Sequence, residues 1–153
     1  MNNTITLKGT YNFKIVGVDG KIRDEWTVDN IVTSAGKAQI ALLIGDASAT
    51  PFTYLAVGTA TTAVAVGQTA LGAEITDTGL ARASGTVSRT TTTVTNDTYQ
   101  ITYTWTASGS KTVEEVGVFN ASSAGTMLSR ALTTTKSIVN GETLATTYTC
   151  SFA

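Results

Sequence analysis

The chain has 153 residues, a net charge of −1 and 14% charged against 42% hydrophobic residues; its length suits one domain, and its charge content lies well below the roughly 25% of an average soluble domain. It has no cluster of Lys or Arg, which excludes the basic footprint of a nucleic-acid binder, and no apolar run of about 18 residues, which excludes a membrane-spanning helix. Histidine is absent, which excludes Ser-His-Asp and Cys-His nucleophile systems and His-based metal sites.

Threonine takes the place of charge, at roughly a fifth of the chain. Its branched Cβ favours extended backbone, so the composition predicts sheets whose outer faces are polar but not ionic. Covering an unpaired hydroxyl costs about 1–3 kcal/mol, less than covering an unpaired charge. Such faces are suited to contact with neighbouring subunits. Met1-Asn2-Asn3-Thr4 lacks a basic segment followed by an apolar one, so no secretory leader is expected. The single cysteine, Cys150, has no internal partner, and synthesis in a reducing cytoplasm is expected.

In chain order, Thr4 to Val28 predicts a hairpin. Tyr11, Phe13 and Ile15 alternate, Asp19-Gly20 signals a two-residue turn, and Trp26 anchors the return strand. Lys21, Arg23, Asp24 and Glu25 suit a solvated edge. Ser34 to Ile44 predicts the one helix, with Ser34 as its cap and Gly45 as its end. Phe52 to Val57 reads as a buried strand ended by Gly58. Thr59 to Gln68, built from Thr, Ala, Val and Gly, reads as an extended loop that could lie across a neighbour, and Thr69 to Ile75 continues it. Arg82 to Thr95 predicts a strand and Asn96-Asp97 its turn. In Thr98 to Thr106 the residues Tyr99, Ile101, Tyr103 and Trp105 alternate with polar ones, the clearest period-2 segment of the chain. Thr112 to Phe119 and Thr126 to Leu132 predict a strand pair around the loop Asn120 to Gly125. After the turn signal Asn140-Gly141, alternation of Leu144, Thr146, Tyr148, Cys150 and Phe152 predicts a last strand. The total is about eight or nine strands and one short helix, an antiparallel β-sandwich. Residues 1–153 form a single domain in this reading, with the 1–28 hairpin as a candidate docking element.

Candidate chemistry is sparse. Glu114-Glu115 lies on a strand, where neighbours point apart, so a shared catalytic site is not expected. Arg130 stands in an otherwise apolar strand and predicts a pairing with Glu74, Glu114 or Glu115 that fixes the fold or an intersubunit seam. Gly117, in Val116-Gly117-Val118-Phe119, predicts close approach of a backbone or ring, with Val116 and Val118 packing on the helix. Gly58-Thr59 and Gly67 lack the Gly-Lys-Ser/Thr of a phosphate loop. No EF-hand spacing surrounds Asp19, Asp46 or Asp77, and Cys150 reads as a small core residue. No cofactor and no metal are expected.

Three segments, Asn30-Ile31-Val32-Thr33-Ser34-Ala35-Gly36-Lys37, Tyr54 to Glu74 with Gly58 and Thr59 at its bend, and Glu114 to Ala131, resemble in order and spacing a family of small virion structural proteins of tailed bacteriophages. The resemblance covers about residues 28 to 153; Ala60 stands where the family's loop often has a second glycine. It implies a non-enzymatic virion protein: a capsid decoration (cement) protein as the first reading, a tail or tail-fibre component as the alternative. An envelope-degrading enzyme would need a carboxylate pair in a cleft, and none is visible. Implied partners are the major capsid protein or tail proteins and further copies in a homotrimer, with no nucleic acid and no membrane.

Overall fold

A computed structural model describes residues 4–152; residues 1–3 and 153, and with them most of the stretch read as lacking a leader, lie outside the described residues. The elements are β1 (Leu7–Val16), β2 (Ile22–Asp29), β3 (Ile31–Val32), α1 (Ser34–Gly45), β4 (Tyr54–Gly58), β5 (Ala83–Ser84), β6 (Thr86–Thr90), β7 (Thr98–Thr106), β8 (Lys111–Phe119), β9 (Met127–Ile138) and β10 (Thr143–Phe152). The strands form two five-stranded antiparallel sheets, ordered β2-β1-β10-β7-β6 and β3-β9-β8-β4-β5. Among the described residues the protein is a mainly β sandwich with one short helix; two of the ten strands, β3 and β5, have only two residues each.

Alternation builds the interior. Tyr11, Phe13 and Ile15 of β1, Ile101 and Trp105 of β7, and Leu144, Tyr148 and Cys150 of β10 face Leu55 and Val57 of β4, Val116 and Val118 of β8 and Ala131 of β9. Tyr11 and Tyr148 pack with ring centroids 4.6 Å apart, and Phe13 stacks on Trp26 at 4.8 Å. Three large side chains place their polar tips on distant partners. The Tyr11 hydroxyl lies 2.6 Å from Ser129 Oγ, Tyr99 donates to the Phe52 carbonyl at 2.6 Å, and Trp105 Nε1 donates to the Ala81 carbonyl at 2.7 Å.

The structure departs from the sequence reading where tertiary contacts decide. The first hairpin closes through five residues rather than two, with Gly17 N–H donating to the Lys21 carbonyl and Gly20 at φ +77°. The charges of its edge strand are largely partnered: Asp24 takes Lys136 at 2.7 Å and Arg23 takes Glu142 at 2.6 Å. The segment read as one strand from Arg82 to Thr95 is two, β5 in one sheet and β6 in the other. The change of sheet occurs at Gly85, where a Cβ would stand 2.6 Å from Ile101 Cγ1 and 2.8 Å from the Thr102 carbonyl oxygen. β9 runs on to Ile138, six residues past the expected end at Leu132.

The helix is capped by Thr33, not Ser34: the Thr33 hydroxyl accepts from Gly36 N–H at 2.8 Å and donates to the Met127 carbonyl at 2.5 Å. Gly45 is the last helical residue rather than a left-handed stop, and the cap beyond it is the extended Asp46. The helix rests on β9, and its Ile40 and Leu43 pack against the core cluster that holds Leu128, Val116 and Val118. Gly36 makes this possible, because a Cβ there would stand 2.5 Å from the Leu128 carbonyl oxygen. Thr33→Ala, which removes a fully buried cap together with its anchor to β9, is expected to cost about 1–2 kcal/mol in urea unfolding, with Thr33→Ser recovering most of the loss.

Candidate functional site

The outer face of the second sheet carries the one deeply buried ion pair among the described residues. A register shift in the β8–β9 pairing between Val113 and Glu115 changes which β8 residues face the core, Val113 before it and Val116 and Val118 after it. Glu115 is left fully buried, and so is Arg130, which pairs in register with Gly117. Arg130 Nε donates to Glu115 Oε2 at 2.8 Å; Nη2 lies 2.7 Å from the same oxygen, but without hydrogen-bonding geometry.

A strap from Thr59 to Ile75 closes over this pair. Glu115 accepts from the backbone N–H groups of Ala73 at 2.8 Å, Gly72 at 3.0 Å and Ala60 at 3.3 Å. Arg130 Nη1 donates to the Thr62 carbonyl at 2.9 Å and Gln68 Oε1 at 3.0 Å. The strap also reaches the helix, since Ser34 N–H donates to the Val66 carbonyl. This low-complexity segment therefore folds over its own chain. Burying two charges is costly unless their remaining hydrogen-bonding capacity is met, and here strap backbone meets most of it. The arrangement needs small residues. A Cβ on Gly58 would collide with the Glu115 carboxylate and the Ala73 carbonyl, and one on Gly117 would press on Leu71, the Phe119 ring and the Ser129 carbonyl at 3.0–3.1 Å.

The other carboxylates considered for Arg130 lie elsewhere. Glu114 accepts from the Thr135 hydroxyl at the surface. Glu74 forms a two-pronged pair with Arg82 at 2.6 and 2.9 Å. The Arg82 guanidinium also covers the Phe119 ring at 3.7 Å and donates to the carbonyls of Ala121 and Ala124. Sequence reasoning passed over Arg82; its signal was a cation in a charge-poor stretch eight residues after Glu74. Thr59 anchors the start of the strap by donating its N–H to the Ala73 carbonyl.

The outer face of the first sheet is a different surface. Thr10, Thr149, Gln100 and Ser88 form one row across four strands, and Asn12, Thr147, Thr102 and Thr86 the next. Ionisable side chains keep to the β1–β2 margin, where Lys14 and Glu25 lie 3.7 Å apart. At one end of the sandwich an apolar groove of about 960 Å³ opens between α1, β6 and the end of β10, lined by Ile40, Leu43, Ile44, Phe52, Val87 and Phe152 among others. Cys150 borders it, its thiol pushed up by burial. Asp97, also on the rim, is held well below the usual carboxylate range because it accepts from the backbone N–H groups of Thr92, Val94 and Thr93. No group of three or more His, Cys, Asp and Glu among the described residues could hold a metal ion, and no helix among them is long and apolar enough to cross a membrane.

A family model described as Podophage GP4 fiber I protein gp80 matches residues 30–150. No curated protein and no solved structure matches the chain. The match runs from the entry to β3 into β10 and takes in all three segments that carried the resemblance. These segments meet in the fold as the start of α1, the strap, and the β8–β9 pair that buries Glu115 and Arg130.

Proposed function

The chain belongs to the podophage GP4 fiber I protein gp80 family, a virion structural family of tailed phages, and from that premise we propose that it is a non-enzymatic fibre component of the phage particle. The observation that carries this reading is the match over residues 30–150. It favours the tail-fibre alternative over capsid decoration, whose supports, small size and low charge, belong equally to fibre components. The partners are then other virion proteins, and the chain is made in the host cytoplasm, in keeping with a lone, free, buried cysteine.

The physical support is the threonine-covered outer face of the first sheet. Five strands spaced about 4.8 Å apart and 5 to 10 residues long present roughly 650 Å², somewhat below one side of a standard interface. Its centre lacks charge, as interface cores do. This is the face through which we propose that copies associate side by side, with a homotrimer as the expected unit. Quantitative mass spectrometry of purified particles tests the fibre reading. Many-fold fewer copies of this chain than of the major capsid protein are expected; a copy number comparable to the capsid protein would support decoration instead.

A further inference from the structure

Two clusters of exposed apolar side chains remain outside the cores, and they lie at opposite ends of the sandwich. Leu7 pairs with Phe152 at one end of the first sheet, and Val16 pairs with Thr143 at the other, about 30 Å away along β1. The Phe152 end holds the apolar groove, where Ile44 is 84% exposed, Val87 43% and Phe152 40%. The Val16 end holds a loop tip, where Val18 is 79% exposed, Ile22 56% and Val139 44%. Val18 lies against Gly141, with its Cγ1 2.9 Å from where a Cβ would stand. The loop 17–21 and the turn 139–142 therefore form one projection.

We propose that the groove receives the Val18–Val139 projection of a second copy, so that copies join head to tail. Each cluster is unexplained within one molecule, and grouped exposed apolar residues of this kind mark contact surfaces. The carboxylate on the groove rim is already engaged, because both Asp97 oxygens accept from the chain's own backbone. The groove can take several aliphatic side chains at once. The margins also complement each other in charge. Each margin carries one charge of each sign, Arg89 and Asp97 on the groove rim and Asp19 and Lys21 in the loop 17–21; none of the four has an ion-pair partner among the described residues, and docking can set Arg89 against Asp19 and Asp97 against Lys21.

A contact between two different ends is heterologous, and it repeats as an open stack wherever its rotation does not close a ring; the opposite ends of the sandwich favour the stack. Its area is modest: the end of two sheets about 10 Å apart and roughly 24 Å wide, with side chains, offers about 500 Å² a side, below the roughly 800 Å² of a standard interface. Self-association is therefore weak for isolated units and strengthens when several units are held side by side. The inference rests on the two ends of the fold and not on the fibre assignment, so either can fail alone.

Sedimentation velocity over a concentration series to about 1 mM tests it. Wild-type protein is expected to show a mean size that rises with concentration without a plateau, in steps of whatever closed unit the copies form. Val18→Asp and Ile44→Asp, both at exposed positions, should each weaken this growth at least about 10-fold while leaving the melting curve unchanged; Val139→Asp serves as a second variant of the projection. An equimolar mixture of Val18→Asp and Ile44→Asp, which retains one good groove and one good projection, should give a pair of units that grows no further. Absence of growth in the wild type at the top of the series would overturn the proposal and leave the groove to a different virion protein. A plateau at a dimer that Val18→Asp does not disturb would overturn it too, in favour of a groove-to-groove contact.

Discussion

Glu115→Leu is expected to destabilise the protein by about 3–5 kcal/mol, the cost of removing one partner from a buried ion pair. The variant leaves Arg130, only 1% exposed, with one carbonyl and one amide oxygen as acceptors, and it orphans the three strap N–H groups that Glu115 satisfies. Arg130→Met should cost less, because the stranded carboxylate keeps those three donors. The double variant should lose less than the sum of the two single losses, since two apolar side chains can replace a buried pair at small cost. Against a total stability of about 5–15 kcal/mol, the Glu115→Leu loss corresponds to a fall in Tm on the order of 10 °C. The loss should change little with added salt, because solvent ions screen buried pairs poorly. Additive, sub-kcal effects in a double-mutant cycle would contradict the assignment of this pair as the clasp that holds the strap.

Alkali should unfold the protein steeply. Burial pushes the phenols of Tyr11, Tyr99 and Tyr148 well above the usual tyrosine value of about 10. The folded state keeps these three protons where the unfolded chain releases them. The stability they contribute is therefore whole below about pH 10 and is lost as pH rises beyond it. Each tyrosine gives a slope of about 1.4 kcal/mol per pH unit, so the three together give about 4. Denaturant midpoints measured from about pH 9 to about pH 11.5, with tyrosinate absorbance followed in parallel, should show stability collapsing and these phenolates appearing with unfolding rather than before it. A stability profile flat across that range would contradict the packing of the three rings. Acid acts through the carboxylates held below their usual value: Asp97 by the backbone N–H groups of Thr92, Val94 and Thr93, Glu142 by Arg23, Asp24 by Lys136 and Asp77 by Lys111. The stability they contribute is present above about pH 4 and is lost as pH falls, with the partly exposed Asp24 and Asp77 pairs contributing little.

Much of this architecture could be read from the sequence wherever one face of a strand meets the interior. Tyr99 to Trp105 and Leu144 to Cys150 alternate because one side of each strand is dry, and the structure pairs these segments in register, Trp105 with Leu144 and Ile101 with Tyr148. Asp19-Gly20 and Asn140-Gly141 marked turns because Gly20 and Gly141 take positive φ, +77° and +84°. What escaped depends on contacts between distant parts of the chain. The break at Gly85 follows from its passage over Ile101. The cap falls on Thr33 because its hydroxyl also reaches Met127, a residue 94 positions away. Arg130 was legible as a buried cation in need of a carboxylate, but the choice among Glu74, Glu114 and Glu115 depends on a register shift in β8 that period-2 reasoning does not contain. The strap from Thr59 to Ile75 read as an extended loop lying across a neighbour because the bonds that fold it over its own chain run from backbone amides to a side chain more than 40 residues on.

We propose that the chain is a structural part of the phage fibre, held together by a strapped ion pair and covered by its neighbours along uncharged sheet faces. A cryo-EM reconstruction of the intact particle tests it most directly. The sandwich should fit density in the fibres, with the outer face of the β2-β1-β10-β7-β6 sheet covered by another virion chain. Finding the chain on the capsid shell, or finding particles that lack it altogether, would contradict the claim.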